Sequence, residues 1–140
     1  MGNSSSIDKF FSFEDVQTCI RTGNAIIIHT LPIAEQKCLI YKTTPAETEE
    51  TTINAVLQSD TKQLIVIYGK NCNDETVNER HTQLVSLGFQ RVYIYRGGMF
   101  EWLCLQDIYG NDEFPTTARE LDILKFKPIS KLNTRHLTNG

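Results

Sequence analysis

Residues 64–102 constrain the fold more than any other part of the chain. They begin with a run of β-branched residues (64–68), a loop (69–73) and an amphipathic helix (74–87). A second short strand (91–95) and a Gly-Gly-x-x-x-Trp motif (97–102) follow. The first run is apolar without alternation, which is typical of a strand covered on both faces. A strand–helix–strand unit of this kind predicts parallel strands with helices packed on them.

The rest of the chain alternates in the same way. Ser12 and Asp15 form a capping box that opens a helix at 13–22, and Gly23 closes it. Thr44, Pro45 and Glu47 predict another helix start, with the threonine as N-cap. Further strands are predicted at 25–30 and 38–42, and a last helix at 99–109. The pattern predicts an α/β fold with a mostly parallel central sheet flanked by helices.

Composition excludes several classes of protein. The 140 residues fit one domain, and 40% hydrophobic with 22% charged residues is ordinary for a globular protein. No apolar run approaches the roughly 20 residues of a membrane span. The four cysteines show no C-x-x-C spacing, which disfavours zinc fingers and thioredoxin motifs. We expect reduced thiols in a cytoplasmic protein that uses no metal and no cofactor.

The loop after the strand at 64–68 is the predicted site. Ligands of parallel sheets bind at the carboxyl ends of strands, and a helix N-terminus attracts anions and thiolates. Cys72 is the only candidate nucleophile there, but Asp74 and Glu75 compete for the same N–H groups and disfavour a nearby anion. The site-like loop comprises Gly69, Lys70, Asn71, Cys72, Asn73 and Asp74.

The order of these features resembles the rhodanese-like domain family. The likeness is specific in the strand, loop, Gly88-Phe89 helix end and Gly97-Gly98 motif, and it extends over roughly residues 12–109. The segment after Trp102 is similar to divergent rhodanese-like proteins of protists and large DNA viruses. The resemblance implies a three-layer sandwich with a C-terminal arm. Two departures stand out: rhodaneses usually place cysteine directly after the strand, where this chain has Gly69, and the frequent Asp-x-Arg is replaced at 29–31.

The resemblance leaves two functions open. One is a catalytically inactive rhodanese-like domain that serves as a binding or assembly module. The other is a divergent sulfurtransferase in which Cys72 attacks a sulfane sulfur and carries a persulfide. In the first function, Cys72 is an ordinary thiol without a catalytic role. A cysteine phosphatase is disfavoured because Asn78 stands where that chemistry needs arginine. His81 shares the apolar face of its helix and is expected to point inward.

The helix at 99–109 is apolar nearly all round, so it needs cover on two sides. Residues 111–127 can supply that cover as an arm, and a capping box between Thr117 and Glu120 predicts a short helix there. The alternative is contact with a protein partner or a second copy in a homodimer. The residues predicted for that contact are Met99, Phe100, Leu103 and Tyr109.

The two termini frame a domain predicted at 12–110. Residues 1–11 are expected to be flexible and match the M-G-x-x-x-[ST] pattern with Gly2 as the myristate acceptor; an ordinary start is the alternative. Residues 128–140 are predicted to be a flexible basic tail. A myristoylated N-terminus should bind the cytoplasmic face of a membrane reversibly. We expect no specific binding of nucleic acid. A source among the large DNA viruses would add the virion as a location.

Overall fold

The fold is built on a four-stranded sheet. The computed structural model describes residues 9–132. The strands are β1 (Phe10–Phe11), β2 (Ala25–His29), β3 (Leu64–Tyr68) and β4 (Val92–Tyr95). All strand pairs are parallel, and the strands lie in the order β1-β4-β3-β2. The helices are α1 (Phe13–Thr22), α2 (Ala46–Ser59), α3 (Glu75–Leu87) and α4 (Gly98–Tyr109).

Helices cover both faces of the sheet. One core cluster joins Val16 of α1 and Trp102 of α4 to the strands. The other cluster joins Ile53 of α2 and Leu84 of α3 to the opposite face. Every side chain of β3 is buried, because this central strand is covered from both sides. The predicted three-layer α/β sandwich is confirmed.

Local signals placed several element ends correctly. The Asp15 N–H donates to Ser12 Oγ at 3.3 Å, and the Ser12 N–H donates back to Asp15 Oδ2 at 2.9 Å. Gly23 ends α1 in the left-handed conformation at a φ of 70°. Asp74 is the N-cap of α3, and its side chain accepts the Thr76 N–H. These signals lie within a few residues of the ends that they determine.

Two segments differ from the elements predicted for them. Phe10 and Phe11, which belong to the predicted N-terminal segment 1–11, pair with β4 as an edge strand. The strand predicted at 38–42 does not form: Ile40 makes only an isolated bridge to Thr116, and Thr43, just after this segment, makes another to Ile27. The Ile40 N–H donates to the Tyr68 hydroxyl, so a side chain takes the place of a neighbouring strand.

Two predicted capping boxes do not form. The Thr44 N–H donates to Ile27 O at 2.7 Å, and the extended Pro45, not Thr44, is the N-cap of α2, without a side-chain bond. In the arm, Thr117 Oγ accepts the Leu39 N–H instead of capping a helix. The arm has only a 3-10 helix, at Ile123–Phe126. In both segments, a group that the predicted capping box needs is hydrogen-bonded to a distant part of the backbone: the Thr44 N–H to Ile27 and the Thr117 hydroxyl oxygen to Leu39.

The arm packs on α4 through two buried aromatic side chains, Phe114 and Phe126. The Trp102 Nε1–H donates to Pro115 O at 3.1 Å, and the rings of Trp102 and Phe114 lie edge to face at 5.1 Å. No helix among residues 9–132 is long and apolar enough to cross a membrane. Gly2 and the end of the predicted tail lie outside the described residues.

Candidate functional site

The loop at 69–74 lies at the carboxyl edge of the sheet, against the start of α4. The Met99 N–H donates to Gly69 O and the Phe100 N–H donates to Lys70 O, both at 2.9 Å. Gly98 permits this approach: its φ is +66°, and a Cβ there would lie 2.6 Å from Gly69 O. The start of α4 therefore binds the carbonyl groups of the loop.

The carboxylate of Asp74 occupies the side of the loop where amide groups converge. Its Oδ2 accepts the Lys70 N–H at 2.9 Å, and its Oδ1 accepts the Thr76 N–H at 3.1 Å. The Thr76 hydroxyl also donates to Oδ1, and it accepts from the hydroxyl of Thr30, just after β2, at 2.8 Å. An anionic group of the protein thus uses the helix N-terminus and the loop amides that would otherwise bind an external anion.

Gly69 has no space for a side chain. A Cβ at this position would lie 2.3 Å from Asp74 Oδ2 and 2.6 Å from Val77 Cγ2. A cysteine directly after β3 would therefore displace the Asp74 carboxylate. Gly69 and Asp74 are compatible with each other, and the packing explains why this chain lacks the cysteine at that place.

Cys72 is exposed at the tip of the loop. Its Sγ lies 3.7 Å from Asn73 Oδ1. It borders a groove of about 540 Å³ between the loop and the end of the arm, in which Lys127 and Lys131 face the loop. On its other side, a cleft of about 40 Å³ contains Arg96. Cations from three segments thus border the same openings as this thiol, but Asp74 and Glu75 border the larger groove as well, and Lys70 pairs with Glu35.

Asn71 attaches the arm to the loop, which the sequence did not predict. Its Nδ2–H donates to Phe126 O at 2.8 Å, and its Oδ1 accepts the Asn73 N–H at 2.9 Å. Lys70 Nζ pairs with Glu35 Oε2 at 3.2 Å. Residues 55 positions apart in sequence meet here, and no local pattern marks such a contact.

Both described histidines are used structurally. The buried His29 accepts the Leu31 N–H at Nδ1, and burial lowers its pKa. His81 points inward, as expected: its Nε2 lies 3.0 Å from Val92 O, and burial lowers its pKa as well. The hydrogen bonds of these two rings are thus made to the backbone of neighbouring segments.

The predicted contact residues on α4 divide into two groups. Met99 and Leu103 are buried in the core, so their prediction as contact residues is wrong. They are covered by the sheet and by Phe126 of the arm, which gives α4 more cover than the sequence suggested. Phe100 is half-buried, and Tyr109 is 63% exposed. A groove of about 470 Å³ separates the later turns of α4 from the arm, bordered by Gln106, Asp107, Arg119 and Leu121.

Comparison with known families agrees with this architecture. The sequence model of the rhodanese-like domain matches residues 24–104, more than half of the chain. The chain belongs to the rhodanese-like domain family. The match runs from β2 through the loop to the middle of α4, so Gly69 and Asp74 lie inside it. No curated protein matches the chain.

Several solved structures share the fold of this rhodanese-like domain. The BH2092 protein from Bacillus halodurans is 16% identical and has a TM-score of 0.60; the match covers 75% of this chain and 78% of that chain. The rhodanese-like domain of the Alr3790 protein from Anabaena is 17% identical, with a TM-score of 0.59 and coverage of 88% and 86%. A full-length protein from Lactobacillus plantarum is 17% identical, with a TM-score of 0.59 and coverage of 83% and 92%. At such identities the likeness concerns the fold.

Proposed function

We propose that this rhodanese-like domain does not transfer sulfur and instead serves as a binding or assembly module. The position of the Asp74 carboxylate is the observation that carries the proposal. Sulfur transfer needs a thiolate and then a persulfide, both anionic and both stabilised by N–H groups of the loop. Here the Lys70 and Thr76 N–H groups already bind Asp74. Its charge also disfavours a second anion nearby.

Thiosulfate:cyanide sulfurtransferase assays test whether the domain lacks sulfurtransferase activity. We expect the wild-type chain and Cys72→Ala to show the same background rate, while an active rhodanese assayed in parallel serves as the positive control. Turnover that disappears in Cys72→Ala, with an unchanged circular dichroism spectrum, would contradict the proposal. Cys104→Ala is the matched control, because it removes a half-buried thiol outside the loop.

The alternative function is sulfur transfer through Cys72 from the groove. The exposed thiol borders the same groove as Lys127 and Lys131, which favours it, since nearby cations stabilise a thiolate and a persulfide. Simple alkylation cannot separate the two functions: burial raises the pKa of the thiols of Cys19, Cys38 and Cys104, so Cys72 should label fastest in either case. Persulfide-specific labelling after incubation with thiosulfate is the decisive readout, and only the alternative predicts persulfide at Cys72.

The proposed protein contact lies along the groove between α4 and the arm. Ile108 and Tyr109 remain exposed on α4; exposed apolar groups beside a polar rim are usual at binding surfaces. A homodimer is the simplest form of this contact. Light scattering across a concentration series should show self-association that Tyr109→Asp weakens and Val85→Asp, on α3, does not. A strict monomer at every concentration would refute the homodimer.

A further inference from the structure

The end of the described chain exposes an unusual set of aliphatic side chains. Leu121, Leu124, Ile129 and Leu132 are 78%, 62%, 81% and 79% exposed, all within 12 residues of sequence. Phe126, in their midst, is fully buried, and its carbonyl accepts the Asn71 Nδ2–H. The segment is therefore fastened to the domain at Phe126 while its aliphatic side chains point to solvent. Single exposed aliphatic residues are common, but such a concentration marks a surface that binds something.

Lysines alternate with these aliphatic residues. Lys125, Lys127 and Lys131 occur after Asp122, and no acidic residue follows up to residue 140. Lys125 pairs with Glu120, whereas Lys127 and Lys131 border a groove opposite Asp74 and Glu75 of the loop, and neither has an ion pair among the described residues. The chain as a whole has a formal charge of −3, so the positive charge here is local. The occupant of this surface must therefore combine apolar material with negative charge.

We infer that residues 121–132 form a docking surface for an anionic lipid bilayer. Aliphatic side chains that enter the interface next to lysines that reach the headgroups are the usual composition of a peripheral membrane contact. Energetic centres of protein contacts are instead enriched in Trp, Tyr and Arg, and residues 121–132 contain none of these. The inference goes beyond the proposed function and does not require an inactive loop.

The N-terminal motif at Gly2 adds an independent reason. A single myristoyl chain binds bilayers only marginally, with an association constant of about 10⁴ M⁻¹, and stable attachment needs a second signal. Residues 121–132 carry exposed aliphatic side chains and a net charge of +2 (three lysines and Asp122), so they can add apolar contact and basic charge to such an anchor. Two lysines near an anionic surface strengthen binding by roughly 30-fold together. The exposed segment would thus convert a weak lipid anchor into a selective one.

Vesicle co-sedimentation of the full chain tests the inference. The chain should be prepared both unmodified and acylated by N-myristoyltransferase, and mixed with vesicles of phosphatidylcholine with or without phosphatidylserine. We expect a preference for phosphatidylserine that falls at least ~20-fold in Lys127→Glu/Lys131→Glu and diminishes with salt. Ile129→Ser/Leu132→Ser should weaken binding to the same vesicles at every salt concentration.

Lys62→Glu/Lys37→Glu is the matched control. It changes two exposed lysines outside the segment by the same charge and should leave binding within about twofold of wild type. Equal binding to both kinds of vesicle, an equal loss in this control, or no binding by either preparation would overturn the inference. Binding of an acidic protein that Lys127→Glu/Lys131→Glu abolishes, without any vesicle binding, would assign the surface to a protein instead. None of these results depends on the sulfurtransferase assay, so the two proposals can fail separately.

Discussion

Replacing Gly69 with alanine should show how much the hydrogen bonds between the loop and Asp74 contribute to the stability of the domain. The new Cβ would lie 2.3 Å from Asp74 Oδ2 and 2.8 Å from Asp74 Cγ, so the carboxylate must move. The move breaks the bonds to the Lys70 and Thr76 N–H groups. Loss of a helix N-cap costs about 1 kcal/mol, and an unpaired N–H together with overpacking adds a similar amount or more. We expect the free energy of unfolding to fall by about 2–4 kcal/mol.

A double-mutant cycle with Asp74→Ala isolates this interaction. Once the carboxylate is gone, the remaining obstacle is Val77 Cγ2 at 2.6 Å, the end of a side chain in α3. Gly69→Ala should therefore cost about 1–2 kcal/mol less in the Asp74→Ala background than in the wild type. Urea denaturation followed by circular dichroism measures all four unfolding free energies.

A control cycle pairs Asp74→Ala with Gly110→Ala. Gly110 ends α4, about 18 Å along the helix from the loop, and a Cβ there would meet no atom within 4 Å. Its φ of 99° strains alanine, so the substitution is destabilising without touching Asp74. These two effects should add. If the effects of Gly69→Ala and Asp74→Ala on the free energy of unfolding are also additive, the Asp74 carboxylate is not what excludes a side chain at position 69.

Three further predictions concern groups around the site. Tyr68→Phe removes the hydroxyl that accepts the Ile40 N–H at 3.1 Å, and the buried N–H left behind should lower the free energy of unfolding by about 1–3 kcal/mol; Tyr41→Phe, at an exposed ring, should change it by less than about 0.5 kcal/mol. Asn71→Ala removes the bond to Phe126 O, so trypsin should cleave the Lys125–Phe126 bond faster than in the wild type or in Asn73→Ala. Burial lowers the pKa of His29 below its ordinary 6.5, so the unfolded chain binds the proton first; the contribution of His29 to the free energy of unfolding should be constant above about pH 6.5 and decrease as the pH falls below it. His29→Gln should reduce that slope, and an unchanged slope would contradict the role of burial.

Local sequence determined the parts of this fold whose signals act over a few residues. The capping box at Ser12, the left-handed glycine at position 23 and the β-branched run of β3 needed no distant partner, so the ends of α1 and β3 were predictable. The α/β class followed from the alternation of such elements. The absence of cysteine at Gly69 was likewise a property of the sequence itself.

Tertiary structure decided everything that depended on a distant partner. Residues 38–42 have strand composition, but their N–H groups meet Tyr68 and the arm instead of a continuous strand. From the sequence, Met99 and Leu103 were expected to be exposed apolar residues, but in the structure they belong to the core cluster that contains Phe126 and the sheet. The position of Asp74 beneath Gly69 required α3 to start at a particular angle to β3. Hydrogen-bonding groups and apolar side chains must find partners, and which partner each one finds depends on the packing of the whole domain.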